Sequence, residues 1–159
     1  VETEREEITY TREDWSFERT AETRAELGVG DSVRFTRRIT DDDVRTYAGI
    51  SGDTNRLHLD EEFASRTRFG GRIVHGGLVS GLISAALARL PGLTIYLSQS
   101  LDFTAPAEID AELTAVCEIV EDLGHDRYRL ETAVHDEDDE SLIGGEAVVL
   151  VDELPADAE

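Results

Sequence analysis

The sequence predicts an α+β domain in which one long buried helix is followed by successive antiparallel strands. Between residues 76 and 90, apolar side chains recur at helical spacing on most sides of the predicted helix, which is typical of a buried helix. From residue 94 onward, four segments alternate apolar with polar residues, the two-residue period of strands with one buried face. A further alternating segment at residues 32–39 precedes the helix.

The length of the chain suits one domain. Its 159 residues can bury a sizeable core, and 40% of them are hydrophobic. The chain contains no internal repeat and no linker that would divide it. We expect a single domain at residues 30–159, preceded by an acidic extension at residues 1–29 that Trp15 and Phe17 anchor.

Helix and turn signals follow the first alternating segment. Thr40 is a predicted N-cap, because three aspartates follow it in the first turn, where the helix dipole favours anions. This helix is expected to end near Gly49. Residues 50–58 are rich in turn formers. Asp60 is predicted to cap a second, short helix, and residues 65–75 form a predicted loop.

Pro91 and Gly92 are predicted to stop the long helix before the strands begin. The first of these strands is expected to have one apolar and one polar face. The predicted apolar face consists of Ile95, Leu97, Leu101 and Phe103. Gln99 interrupts this face, so its amide must find a buried partner or a polar cavity.

The charge and cysteine content exclude several classes of protein. The chain has 36 acidic and 15 basic residues, a formal net charge of −21, and every basic residue is Arg. This charge argues against a nucleic-acid binder, which needs a basic face. The single cysteine, Cys117, excludes an internal disulfide and a cysteine-rich metal site. The longest apolar run, residues 78–90, is too short to span a membrane and contains Arg89, so we expect a cytoplasmic protein.

The acidic composition resembles that of haloarchaeal proteins. In dilute buffer this much negative charge would repel itself. At 1 M salt the Debye length falls to about 3 Å, and repulsion between surface carboxylates is then largely screened. We therefore expect folding of the chain to need molar salt.

Asp53 and His58 lie five positions apart in the turn-rich segment. A carboxylate and an imidazole that a loop brings together can share general acid/base work without a metal. In the structural alternative, Asp53 makes an Asx-turn and His58 packs against the next helix. The histidines show no metal-ligand spacing, so we expect no metal site.

Two further groups of residues lie around the long helix. Residues 75–77, His-Gly-Gly, precede or begin it, and its unpaired N–H groups could hold a developing oxyanion. Alternatively, the glycines only let the helix fit tightly under the sheet. Ser80, Ser84 and Leu87 share a helix face and could line a pocket, although a serine hydroxyl can instead bond the carbonyl four residues back.

Taken together, these segments resemble the MaoC-like dehydratases. Residues 47–58, YAGISGDTNRLH, followed by residues 73–78, IVHGGL, closely resemble the hydratase motif of that family. Residues 95–103, IYLSQSLDF, resemble the strand after the family's central helix. The closest resemblance is to the short (R)-specific enoyl-CoA hydratases, and it covers about residues 30–152. Arg56 departs from the pattern, because the family usually has proline there, which would stiffen the loop.

The resemblance implies a hot-dog fold, in which an antiparallel sheet wraps around a long central helix, and a homodimer with active sites near the subunit interface. It implies hydration of a trans-2-enoyl-CoA to an (R)-3-hydroxyacyl-CoA and the reverse dehydration. Coenzyme A would be part of the substrate, with no separate cofactor. Asp53 and His58 would hold one water between them, and the N–H of Gly76 would hold the thioester oxygen. Which of the pair moves which proton stays open.

Further residues are expected to bind the acyl-CoA substrate. They are Asn55, which would orient the loop, and His75, Ser80, Ser84, Leu87, Arg66, Arg68 and Arg72. The three arginines are expected to meet the phosphates of coenzyme A, because an acidic chain needs a local basic site for so negative a substrate. Arg56 is a further candidate for a phosphate contact.

Two alternatives to this function stay open. One is a hydratase for branched or dicarboxylic C4 to C5 acyl-CoA, which the pocket volume near Ser84, Leu87 and the last strand would decide. The other is a non-catalytic hot-dog domain that binds acyl groups or partners, although Asp53 and His58 count against it. A thioesterase is less expected, because that branch of the fold does not carry this Asp/His motif.

Overall fold

The structure, a computed structural model, describes residues 11–156 of the chain. Its strands are β1 (Ser16–Arg19), β2 (Ser32–Arg38), β3 (Leu93–Phe103), β4 (Glu112–Gly124), β5 (Arg127–His135) and β6 (Ser141–Asp152). They form one sheet in the order β1-β2-β4-β5-β6-β3, and every neighbouring pair is antiparallel. The α-helices are α1 (Asp41–Ser51), α2 (Arg56–Leu59), α3 (Glu61–Ser65) and α4 (Gly76–Leu87), and a 3-10 turn covers Arg24–Glu26.

The long helix α4 packs against β2, β4 and β5. Its buried residues are Val79, Leu82, Ile83, Ala86 and Leu87. These positions recur at three- and four-residue spacing, so one face of the helix enters the core. The predicted α+β class, with an antiparallel sheet wrapped around a central helix, is confirmed.

The expected boundary between an extension and the domain at residue 30 does not coincide with a break in the structure. β1 pairs with β2 and forms the edge of the sheet. Trp15 and Phe17 pack against the core, as predicted. Main-chain pairing and aromatic burial therefore make this segment part of the domain, whereas residues 1–10 lie outside the described residues.

Arg89, just after α4, joins this amino-terminal segment to the helix. Its guanidinium carbon lies 4.3 Å from the ring centroid of Phe35 and 5.6 Å from that of Phe17. Such distances are typical of cation–π contacts. The guanidinium also donates to the Ala85 carbonyl at 2.8 Å, and Arg19 donates to the Arg89 carbonyl at 3.1 Å. The end of α4 is thus tied to β1 and β2.

The predicted faces of β3 are wrong in the first half of the strand. Tyr96 lies opposite a buried residue of β6, so its side chain is on the helix side of the sheet. Ile95 lies opposite the next residue of β6, so its side chain is on the outer face. The register shifts just after Tyr96, where Leu97 is an extra residue of a β-bulge. The bulge moves the alternation by one position, so only Leu101 and Phe103 of the predicted apolar set lie on the helix side of the sheet.

The amide of Gln99 has the partners that the sequence required. Its Nε2 donates to Thr132 Oγ1 at 3.1 Å and to the Glu146 carbonyl at 3.0 Å. The hydroxyl of Tyr96 donates to its Oε1. Since Thr132 is buried, the expected buried partner is confirmed. Across the described helices, none has the length and hydropathy to cross a membrane.

Three glutamates form a row across the sheet. Glu118 on β4 lies directly opposite Glu131 on β5, and Glu131 lies opposite Glu146 on β6. All three side chains are exposed. Like charges directly opposite one another on neighbouring strands are destabilising. The row is therefore a local source of the repulsion that salt would screen.

We expect Glu131→Gln to stabilise the fold at low salt, because it removes both repulsive pairs of this row. Each cross-strand pair is worth about 0.2–1 kcal/mol, and the gain should shrink in molar KCl. The free energy of unfolding, measured in low and high KCl, tests this. Glu112→Gln removes the same charge but faces Arg38, so it should give no gain. Equal gains in both variants would show that net charge alone sets the salt dependence.

Candidate active site

Asp53 lies in the turn that follows α1. The helix ends at Gly52, whose φ of 79° is the left-handed conformation that glycine adopts readily. The N–H of Asp53 then donates to Ser51 Oγ at 3.1 Å. The Asp53 Oδ1 accepts from the Asn55 N–H at 3.3 Å, so the Asx-turn alternative is present in the structure. The side chain is exposed, which leaves the rest of the carboxylate accessible.

His58 lies on the short helix α2, which Asn55 caps. The Asn55 Oδ1 accepts from the Leu57 N–H at 3.1 Å, which is a regular N-cap contact. His58 is 7% exposed, and its Nδ1 lies 2.8 Å from the Ile73 carbonyl oxygen. A carbonyl can only accept, so Nδ1 carries the proton and the neutral ring keeps its lone pair on Nε2.

The structure brings Asp53 and His58 together, as the sequence hypothesis required. One carboxylate oxygen of Asp53 and one ring nitrogen each of His58 and His75 all lie within 4.8 Å of one another. Two atoms at this separation can both reach one water at ordinary hydrogen-bond distances of about 2.8 Å. The pair can therefore hold a single water between a ring nitrogen of His58 and a carboxylate oxygen of Asp53.

Asp53, His58 and His75 are also residue types that can bind a metal ion. The His58 and His75 rings are stacked, with centroids 3.9 Å apart and planes inclined by 29°. Imidazole binds a metal along a lone pair in the ring plane, and two stacked rings do not direct those lone pairs at one point. Each ring also uses one nitrogen on a backbone carbonyl. The donor geometry therefore favours proton transfer over metal binding.

Gly76 places the first turn of α4 beside this pair. His75 is the N-cap residue and provides no side-chain cap, so the first N–H groups of the helix are available to a ligand. The Phe103 ring packs on Gly76, since a Cβ at this position would lie 2.8 Å from Phe103 Cε1. Only glycine allows this approach.

A cavity of about 280 Å³ adjoins His58 and the start of α4. Most of its wall is apolar. Its lining includes His58, Arg68, Phe69, Ile73, Gly76, Val79 and Phe103. Sequence reasoning did not assign Phe69, Val79 or Phe103 to the site. The sequence did contain one indication for Phe103. This residue lies at the end of β3, close to where the sheet must meet the glycine-rich start of α4.

The predicted loop arginines have different environments. Arg72 donates from Nε to the His58 carbonyl at 2.7 Å and from Nη2 to Asp41 Oδ1 at 2.5 Å. This hydrogen bond from Arg72 is the main cause that holds the pKa of Asp41 below its ordinary value. Arg72 therefore stabilises the backbone at His58 by linking it to α1, and its side chain is only 12% exposed.

Three other arginines remain near the site. Arg56 pairs with Asp60 at 3.0 Å, and Arg66 lies 3.5 Å from a Glu62 carboxylate oxygen. Arg68 lies over the Phe69 ring at 5.1 Å and lines the cavity. Among residues 11–156 it has no carboxylate partner, so Arg68 is the loop arginine whose charge is available to a ligand.

The three α4 residues predicted to line a pocket lie further along the helix than the cavity. Ser80 donates to the Gly77 carbonyl at 2.9 Å, so its hydroxyl bonds the backbone one turn earlier. Ser84 is exposed, whereas Leu87 is buried in the core. Gly76 and Val79 contribute the helix side of the cavity instead. Substrate binding by these three residues stays a prediction.

Burial also removes Cys117 from consideration as a nucleophile. Burial raises the pKa of its thiol to about 12, and the thiolate is the reactive form. The chemistry of the site therefore rests on the carboxylate and imidazole groups.

Known proteins are similar to this chain in sequence and in architecture. The chain is 41% identical over 128 residues to a 3-hydroxybutyryl-CoA dehydratase of Methylorubrum extorquens, which covers 79% of this chain and 82% of that one. It is 39% identical over 127 residues to an (R)-specific enoyl-CoA hydratase of Aeromonas caviae, which covers 77% and 94% of the two chains. An R-hydratase structure from Pseudomonas aeruginosa matches with a TM-score of 0.78 at 37% identity, over 87% of this chain and 90% of that one.

The match to the family itself covers the central part of the chain. Residues 24–140 match the MaoC like domain, a stretch that includes Asp53, His58 and all of α4. The hot-dog architecture expected from the resemblance is thereby confirmed. A chain with this motif, this sheet order and these relatives belongs to the MaoC-like domain family.

Proposed function

We propose that this chain adds water to a trans-2-enoyl-CoA to give an (R)-3-hydroxyacyl-CoA, and catalyses the reverse dehydration. The observation that carries the proposal is the convergence of Asp53 and His58 within 4.8 Å of one another, beside a cavity that also reaches Gly76. Relatives named (R)-specific enoyl-CoA hydratase and 3-hydroxybutyryl-CoA dehydratase support the same reaction.

The proposed reaction gives each group a part. Asp53 and His58 hold the water, whose oxygen attacks Cβ of the enoyl group while one of its protons passes to this pair. A proton is delivered to Cα, so the water is added without any other reagent. During the attack the thioester oxygen gains negative charge, which the N–H of Gly76 at the positive end of α4 stabilises.

Loss of either member of the pair should abolish most of the hydration. We expect Asp53→Asn and His58→Gln each to lower kcat by about 10²–10⁴-fold, the usual contribution of general acid/base catalysis. Hydration of crotonyl-CoA in high salt, with the configuration of the product determined, measures this. His125→Gln, in the β4–β5 turn, should keep the activity of the parent. Near-parental rates in both site variants would exclude the assignment.

The second candidate function is hydration of a branched or dicarboxylic C4 to C5 acyl-CoA. Arg68 favours it, because a cavity-lining guanidinium without a carboxylate partner among residues 11–156 could pair with an acid group on the acyl chain. In the first candidate, the same guanidinium meets a phosphate of coenzyme A. A substrate panel from crotonyl-CoA to a C5 dicarboxylic enoyl-CoA separates the two.

We expect Arg68→Gln to raise KM about two- to fivefold with little change in kcat, the size of effect that a partly exposed ion pair contributes. The phosphate role predicts this rise for every acyl-CoA, and the acyl role predicts it for the dicarboxylic substrate alone. Arg66→Gln is the matched control, since Arg66 already faces Glu62. A fall in kcat with unchanged KM would contradict both roles of Arg68.

We also propose that two copies of the chain form a homodimer through the β3 edge. β3 is an edge strand of the sheet. It carries solvent-exposed apolar side chains, of which Ile95 is 39% and Leu97 45% exposed. A long apolar edge strand is normally paired or covered. The exposed face of α4 carries the small residues Gly77, Gly81 and Ser84, which leave room for a second helix to approach closely.

Sedimentation equilibrium in high salt tests the dimer. The unchanged chain should sediment with twice its own mass. Leu97→Glu places a charge in the proposed interface and should give the single-chain mass. Leu123→Glu changes a comparably exposed leucine at the far end of β4, and this variant should stay dimeric. A parent chain that sediments as a monomer contradicts the proposal.

A further inference from the structure

His75 is the most buried ionisable side chain next to the candidate site, with 1% of its surface exposed. It ends the loop before α4 and serves as the N-cap residue of that helix. Of the two stacked histidines, His58 belongs to the cavity lining and His75 does not. The resemblance placed His75 among the substrate-binding residues, but its burial removes it from direct contact.

One nitrogen of His75 holds the turn that carries Asp53. Its Nε2 lies 3.0 Å from the carbonyl oxygen of Asp53, which can only accept, so Nε2 carries the proton. The other nitrogen, Nδ1, is buried and has no hydrogen-bond partner in the described part of the chain. A proton on Nδ1 would be a buried donor without an acceptor, which is unfavourable. The surroundings of the ring therefore favour the tautomer with the proton on Nε2.

The ring of His75 is also fixed on both sides. One face stacks on His58 at 3.9 Å, and Tyr47 meets the ring edge-on with centroids 4.8 Å apart and planes at 61°. The Tyr47 hydroxyl lies so close to Gly77 that any side chain there would collide with it. The ionisable residues in contact with His75 are thus Asp53, through its carbonyl, and His58 and Tyr47, through their rings.

We propose that His75 is a positioning residue, which holds the Asp53 turn and the His58 ring at a fixed separation through one N–H and one stacked face. The role rests on the proposed function, because it acts on the same pair. It needs both features of the ring: the Nε2–H that reaches the Asp53 carbonyl and the flat face that supports His58. A misplacement of reacting groups by about 1 Å can cost 10²-fold in rate.

Two substitutions separate these features. His75→Phe keeps a flat ring but loses the N–H, and His75→Gln keeps an amide N–H but loses the ring. We expect His75→Phe to lower kcat for crotonyl-CoA by about 10–10²-fold with KM within about twofold, since no substrate contact is lost. His75→Gln should retain several-fold more kcat than His75→Phe. His135→Phe, at the end of β5 beside Asp139, should keep the parental kcat.

A measurement without substrate gives an independent answer. In protein labelled with ¹⁵N in the imidazole rings, we expect His75 as the Nε2–H tautomer and His58 as the Nδ1–H tautomer at neutral pH. Spectra of His75→Gln and His58→Gln assign the signals. An Nδ1–H tautomer of His75 in the parent chain would overturn the proposal.

The outcomes distinguish this role from the proposed function. A parent chain that hydrates crotonyl-CoA, combined with a His75→Phe variant of unchanged kcat, would overturn the positioning role alone. A rise in KM that matches the loss of kcat would also overturn it, because it would indicate a substrate contact. A parent chain inactive on every enoyl-CoA would overturn the proposed function and this role with it.

Discussion

The burial of α4 against the sheet is the constraint on which the candidate site depends. Val79 and Ile83 are enclosed in the core, so the helix cannot slide along its axis without opening cavities. Its first residue is therefore held against Phe103. The segment before the helix is fixed as well, because the Val74 N–H donates to the Ala107 carbonyl at 2.9 Å. Apolar contacts thus determine where the polar groups stand.

Within that frame, backbone carbonyls decide how the polar groups are protonated. The Ile73 carbonyl selects the tautomer of His58, and the Asp53 carbonyl selects that of His75. Both acceptors lie in loops whose paths are braced elsewhere. Arg72 connects the His58 carbonyl to Asp41, so a charge at the start of α1 contributes to the stability of the loop. The tautomers of His58 and His75 therefore depend on the backbone of two loops and on the Arg72–Asp41 contact that supports one of them.

Local signals made much of this arrangement predictable from the sequence. The spacing of apolar residues identified α4, and the short distance between Asp53 and His58 in a turn-rich segment identified the pair. What could not be predicted depends on distant partners. Arg72 was expected to face coenzyme A, but it binds Asp41, 31 positions away. A composition pattern cannot reveal such a contact, because nothing in either segment specifies the other.

Partners distant in sequence also define the first strand and the faces of β3. β1 has only four residues, too few for a clear alternation, and its pairing with β2 is what identifies it. The extra residue at Leu97 is defined only by the register with β6. The residues around Ile95 alternate regularly whichever of the two faces is taken as buried. Only the pairing with β6 defines the inward face.

The bulge at Leu97 also sets how this edge strand can vary. A substitution there changes one side chain and leaves the neighbouring contacts in place. Removal of Leu97 would leave Tyr96 opposite Val149 and Ser98 opposite Val148, so both halves of the strand would keep their faces. The Gln99 amide and the Tyr96 hydroxyl would then stay on the same side of the sheet. Loss of this one residue is for this reason the change in strand length that β3 should tolerate best.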